Sequence, residues 1–258
     1  MKIMFLNIFE GCQEPERFGK IVSFINRENP EILGLSELYD WDKDNFTKLK
    51  KFLDQTDFNS HVFYKSANNF HVGIFLKHSF GQAADISEGL GMAKAKVTIA
   101  LDNLELSVIV AHLSARDEDT RLKEFEIIAK NVSREEPTIF MGDFNSLSPL
   151  DPYDDSQLLD DMRKAGMDKF GGGELRKEVI QKIMDAGFID AVRKRSQAFE
   201  YSVPTGYCRD PNHFTKLRLD YLFITESLRS SLRDARILRT EETNQLSDHF
   251  PLLAEFTV

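Results

Sequence analysis

Asn7, Glu37, His112, Asp143, Asn145, Asp220, Asp248 and His249 each end or interrupt an otherwise apolar run. Burying such groups costs about 1–3 kcal/mol apiece unless they are paired or liganded. Singly, each is what any strand-to-loop turn would use, and His112 could be a hydrogen-bonded core histidine. Together, carboxylates, amides and imidazoles gathered at strand exits match hard-cation and phosphate chemistry. The densest grouping is Gly142-Asp143-Phe144-Asn145. Residues i and i+2 of an extended chain point to the same side, so Asp143 and Asn145 can address one bound group while Phe144 turns away.

These residues need strands that stop in one place. Met1–Asn7, Ile32–Ser36, His61–Tyr64, His71–Leu76, Ala93–Leu101, Leu104–His112 and Thr138–Gly142 read as strands from apolar runs or alternation. Asp102-Asn103 is the expected two-residue hairpin loop between two of them. Later strands are expected at Leu217–Thr225, near Ala235–Leu238, and at Pro251–Phe256. Helical spacing of apolar residues appears at Phe18–Ile25, Trp41–Leu53, Asp117–Val132, Gln157–Ala165 and Leu175–Ala186. Asp117, Glu118 and Asp119 suit the positive end of the third. Gly171-Gly172-Gly173 lacks the Gly-Lys-Ser/Thr that a phosphate loop needs and reads as a flexible link.

The chain has 258 residues, long enough to bury roughly three quarters of its unfolded surface, and 41% apolar residues with 21 Phe supply the material. No linker or repeat divides it, so one domain over 1–258 is expected. Cys12 and Cys208 lack metal-site spacing, fit a reducing compartment, and are expected to be small buried apolar residues. The 33 basic and 42 acidic residues leave a net charge of −9, which would repel a polyanion at long range. No apolar run approaches a membrane span of about 18 residues. A soluble cytoplasmic protein without stable membrane association or an obligate protein partner is the expectation.

The ordered set Leu6-Asn7-Ile8, Leu35-Ser36-Glu37, Ala111-His112-Leu113, Gly142-Asp143-Phe144-Asn145, Arg218-Leu219-Asp220-Tyr221 and Ser247-Asp248-His249-Phe250-Pro251 resembles the endonuclease/exonuclease/phosphatase, or DNase I-like, superfamily. The resemblance spans the whole chain. It implies an α+β, four-layer α/β/β/α sandwich, with two mostly antiparallel sheets between helices and the site where strands of both sheets finish. It implies Mg²⁺, or Mn²⁺ in its place, with Glu37 as main ligand and Asn7 and Asp248 completing the metal environment. Asp143 would orient and deprotonate the attacking water, and Asn145 would hold Asp143 or a phosphate oxygen. Asp220 would fix the tautomer of His249, which donates to a non-bridging oxygen, while His112 donates from the other flank. A histidine at 112 resembles the DNase I-like and sphingomyelinase branches rather than the apurinic-endonuclease branch, which typically has tyrosine there. Ser36 stands where glutamine often precedes the metal glutamate.

The loops Tyr39–Asp42, Ser114–Arg116, Pro149–Ser156 and Pro204–Phe214 must choose the substrate. Tyr207, Arg209, His213 and Lys216 could stack on and neutralise a phosphorylated ligand, but read more simply as solvated surface, as does Arg193-Lys194-Arg195. No basic, aromatic-interleaved stripe supports extended duplex recognition. The leading expectation is a phosphodiesterase or phosphatase acting on a phosphorylated small molecule or short nucleic acid. A DNA or RNA nuclease and an inactive ligand-binding module of the same fold are the alternatives.

Overall fold

The computed structural model describes residues 1–86, 94–101, 104–171, 173–209, 213 and 215–257. The elements run β1 (Lys2–Asn7), α1 (Pro15–Glu28), β2 (Ile32–Ser36), α2 (Lys43–Asp54), β3 (Ser60–Tyr64) and β4 (Val72–Leu76). Next come β5 (Gln82–Asp85), β6 (Lys94–Leu101), β7 (Leu104–His112), α3 (Glu118–Ala129), β8 (Thr138–Asp143), α4 (Asp155–Lys164) and α5 (Glu178–Asp185). The chain closes with β9 (Phe188–Asp190), α6 (Ala191–Arg195), β10 (Asp220–Thr225), β11 (Leu232–Ile237) and β12 (Leu252–Phe256).

Two six-stranded sheets form, ordered β11-β12-β1-β2-β4-β3 and β5-β6-β7-β8-β10-β9. Alternation along the strands sets the layers. Ile3 and Phe5 of β1 meet Val108 and Val110 of β7 and Ile139 and Met141 of β8 in the core between the sheets. Met4 and Leu6 face the other way, onto Phe18 and Ile21 of α1 and Phe52 of α2. On the second sheet Phe140 and Phe223 pack outward against Phe125 of α3 and Ile180 of α5. The result is the expected α/β/β/α sandwich. Gly34 marks a close approach of the sheets, since a Cβ there would come within 2.7 Å of the Val110 side chain.

Register aligns the strand ends. Asn7 lies beside Ser36 in the parallel pair β1–β2, and His112 lies beside Asp143 in the parallel pair β7–β8. Asp143 in turn faces Asp220 across the antiparallel pair β8–β10. Gly142 precedes this point because any side chain there would collide with the Ala111 carbonyl.

Several sequence expectations need correction. The segment read as one strand from Leu217 starts as a strand only at Asp220; Leu217 makes an isolated bridge to Val203, and Leu217 and Leu219 pack in a separate apolar cluster with Leu158 and Met162 of α4. Helix α3 stops at Ala129 rather than Val132, and α5 spans Glu178–Asp185 rather than Leu175–Ala186. The short elements β5, β9 and α6 were not anticipated. Arg193 is not simply solvated: it sits on α6 and donates to the carbonyls of Leu150, Gln197 and Ala198. Cys12 is buried but Cys208 only half-buried. Asp102-Asn103 and Gly172 lie outside the described residues.

Candidate active site

Glu37 leaves β2 in the left-handed region at φ +56°, which costs a non-glycine residue about 1–2 kcal/mol. Backbone bonds hold it there: the Glu37 carbonyl accepts from Gly11 N at 2.7 Å, and Leu38 N donates to the His71 carbonyl at 3.0 Å. Its side chain turns to the end of β1. Glu37 Oε1 accepts from Asn7 Nδ2 at 3.0 Å and Oε2 from Glu10 N at 2.8 Å.

Asn7 is fully buried and joins the two sheets, because the same Nδ2 donates to Asp143 Oδ2 at 3.1 Å. Its Oδ1 accepts from Phe9 N at 3.0 Å. Asp143 Oδ1 accepts from Asn145 N at 2.9 Å. Asp143 Oδ2 also lies 3.5 Å from His112 Nε2 and 3.7 Å from His249 Nε2. The ligating atoms of Glu37, His112 and Asp143 all fall within 4.8 Å of one another, as do those of Asp143, Asp220 and His249, and those of His213, Asp248 and His249. All eight sequence-derived site residues therefore converge.

Charge is in excess here. Burial pushes the Asp248 carboxyl up to about 7 against the pull of His249, with Glu37 and Asp143 adding to the rise. Burial likewise raises Asp220. Burial alone would depress the His249 imidazole, but Asp220, Asp248 and Asp143 outweigh it and hold the ring well above its ordinary range. At 2.7 Å the Asp220–His249 pair shares a proton, and the direction that follows is a protonated ring. His112 goes the other way: burial takes it down to about 4, opposed by Glu37, so it is neutral near pH 7.

A cleft of about 800 Å³ opens over these groups, walled by Phe9 and Phe70 and by the cationic Arg116, Lys169 and Arg209. Phe70 meets His112 edge-on at 6.1 Å. One member, Lys169, escaped the sequence reading, and another, His213, was named there as a possible ligand contact but read more simply as solvated surface. Lys169, buried in the loop after α4, donates from Nζ to Asn145 Oδ1 at 3.1 Å. His213, expected at the surface, is buried with Nδ1 3.5 Å from Asp248 Oδ2 and its ring 4.9 Å from that of His249. Neither lies in a periodic segment, so only the tertiary fold reveals them. Tyr207 instead stacks under the Arg17 guanidinium, and Lys216 sits over Tyr201.

Residues 4–249 match the Endonuclease/Exonuclease/phosphatase family. The chain belongs to that family. As an endonuclease/exonuclease/phosphatase protein it is an enzyme, a metal-dependent hydrolase of phosphoric esters. Its fold is similar to that of an AP endonuclease from Archaeoglobus fulgidus, with TM-score 0.74, 18% identity and 100% of both chains covered. A 3′ phosphatase from Neisseria bound to a product DNA hairpin gives TM-score 0.74 at 19% identity, again over 100% of both chains. A mannosyl-6-phosphatase from Bacteroides thetaiotaomicron gives 0.71 at 15% identity with the same coverage. At these identities the likeness speaks to the fold. No curated protein matches this chain in sequence. Among the described residues, no helix is long and apolar enough to cross a membrane.

Proposed function

We propose that this chain, acting as one domain over residues 1–258, is a Mg²⁺-dependent phosphodiesterase or phosphatase working on a small phosphoester. The observation that carries this reading is Asp143 Oδ2, which meets Asn7 Nδ2 at 3.1 Å and faces the Nε2 atoms of His112 and His249 at 3.5 and 3.7 Å. A carboxylate so placed in a cleft is a general base with its surroundings already ordered.

The donor set fits a hard dication. Asp248, whose carboxyl burial pushes up to about 7, would be returned to its charged form by a dication beside it. Mg²⁺ takes one or two carboxylates and keeps its waters, so Glu37 and Asp248 would suffice as its carboxylates; their ligating atoms lie in two neighbouring groups, Glu37 with His112 and Asp143, and Asp248 with His213 and His249. The amide of Asn7 points its NH₂ at both Glu37 and Asp143; a ligand role requires its oxygen to turn toward the ion. When bound, the dication offsets charge growing on phosphoryl and leaving oxygens. Mn²⁺ suits the same oxygen donors.

Asp143 orients the attacking water and takes its proton, a step worth roughly 10²–10⁴-fold. Asn145 N holds Oδ1, and Oδ2, which takes one bond from Asn7 Nδ2, keeps a lone pair for the water. His249, kept charged by Asp220, donates to a non-bridging phosphoryl oxygen. His112 lines the same cleft from β7 with Nε2 accepting from Asn145 Nδ2, so it shapes the site rather than donating to those oxygens, and Arg116 and Arg209 receive the substrate's remaining charge at the cleft wall.

Those cations favour one second reading, a nuclease acting on short or single-stranded ends. A screen of phosphorylated sugars, nucleotides, phospholipid headgroups and short oligonucleotides, with Mg²⁺ or Mn²⁺ added, separates the two. The first reading expects turnover of a small phosphoester that is insensitive to salt. Cleavage of oligonucleotides alone, falling steeply as salt rises, selects the nuclease. Tight binding without turnover of any of them selects an inactive binding module and refutes both.

A further inference from the structure

Asn145 sits at φ +49° with each of its side-chain groups engaged. Its Nδ2 donates to the Leu113 carbonyl at 3.1 Å, and its Oδ1 accepts from Lys169 Nζ at 3.1 Å. An ammonium only donates and a carbonyl only accepts, so these two partners fix which way the amide faces. Nδ2 also lies 3.3 Å from His112 Nε2. An amide nitrogen has no lone pair to offer, so His112 Nε2 is the acceptor and the proton of the neutral ring falls on Nδ1. Nδ1 is a buried atom with no hydrogen-bond partner among the described residues, so the Asn145 contact must outweigh the cost of leaving that N–H unpaired. The 3.5 Å gap between His112 Nε2 and Asp143 Oδ2 agrees, since two acceptors facing each other make no hydrogen bond.

We infer that Lys169 is a positioning residue for phosphoester hydrolysis: by gripping the Asn145 amide it holds His112 in the Nδ1–H tautomer and so keeps an imidazole proton off the Asp143 Oδ2 lone pair. Were that proton on Nε2, it would point at Asp143 and make the carboxylate a weaker base. Lys169 is built into the fold for this. It is buried, its Nζ lies 4.9 Å from the centre of the Phe170 ring, and its carbonyl accepts from Arg121, which is itself paired with Glu118. The catalytic consequence rests on the hydrolase reading above, whereas the tautomer does not.

The test is long-range ¹H–¹⁵N correlation of the His112 ring at neutral pH in metal-free protein, beside steady-state kinetics with Mg²⁺. Wild type should show a single Nδ1–H form. Lys169→Met, which keeps the stem and removes the donor, should admit the Nε2–H form and lower kcat by roughly 10²-fold with KM little changed. Lys169→Arg keeps a donor and should restore both the tautomer and most of kcat. If Lys169→Met does not fold, Asn145→Ala must release the tautomer in its place. An Nε2–H ring in wild type, or an unchanged Nδ1–H ring in a folded variant lacking the Lys169 donor or the Asn145 amide, overturns the inference. The predicted tautomer change in a protein that hydrolyses no phosphoester supports the Lys169 assignment while refuting the hydrolase reading.

Discussion

Asp220 Oδ2 lies 2.7 Å from His249 Nδ1, and the pair is wholly within the protein where β10 begins. Asp220 has one further oxygen, Oδ1, with no hydrogen-bond partner among the described residues. The carboxylate is thus committed to the imidazole, fixing its tautomer and turning Nε2 toward the cleft.

Asp220→Asn should therefore remove the main force raising the His249 ring. A charged ring is present below its pKa and lost as pH rises through it. In wild type the high-pH fall of kcat/KM should lie well above pH 6.5; in Asp220→Asn it should move down toward about 6.5 or lower, with the plateau reduced by up to roughly 10⁴-fold. Superimposable pH–rate profiles would argue that His249 does not act as the charged donor.

Asp248 gives a second pH dependence. Its folded value, about 7, stands above its ordinary 3.8, so between those values the native metal-free state binds more protons than the unfolded one. Stability then falls as pH rises across that window. Mg²⁺ binding competes with the same proton, so the Tm increment from a fixed Mg²⁺ excess should be larger at pH 8 than at pH 5.5. Thermal scans at both values check this, and an increment independent of pH would remove Asp248 from the metal site.

How much of this was legible beforehand follows from where each residue sits. Asn7, His112 and Asp143 close apolar runs that are plain in the sequence, the one before His112 by its alternation, and Glu37 directly follows another, so strand and site residue were found together. Asp220 was read as lying inside a longer strand, because Leu217 and Leu219 are apolar for a different reason: they cover α4. Strand β5 is exposed at every position and β9 has three residues, so neither carries a period to detect. The order of strands in the sheets, the burial of His213 and the reach of Lys169 to Asn145 depend on contacts remote in sequence, which local pattern does not encode.

Asn7 ties Glu37 to Asp143 across the two sheets. Asn7→Ala should weaken Mg²⁺ binding by about 10–100-fold, and lower stability by about 1–3 kcal/mol for the buried acceptors left behind. Calorimetric Mg²⁺ titration and urea unfolding measure the two effects separately. Unchanged metal affinity would confine Asn7 to a structural role.

Gly142→Ala tests the backbone that aims Asp143. The new methyl would strike the Ala111 carbonyl and push β8 from β7 beside the His112–Asp143 pair. Overpacking of this kind costs about 1–3 kcal/mol, and turnover should fall with stability because Asp143 moves too. Full activity in the variant would show that this stretch of β8 tolerates displacement.

The central claim is that Asp143 and His249 act with a bound divalent ion on a phosphoester. Its most direct test is hydrolysis of bis-p-nitrophenyl phosphate by the purified protein, with and without Mg²⁺ or Mn²⁺, for wild type, Asp143→Ala and His249→Ala. The account predicts turnover by wild type only when metal is added, and loss of that turnover in each variant. Turnover that survives chelation, or that persists in Asp143→Ala, would contradict it.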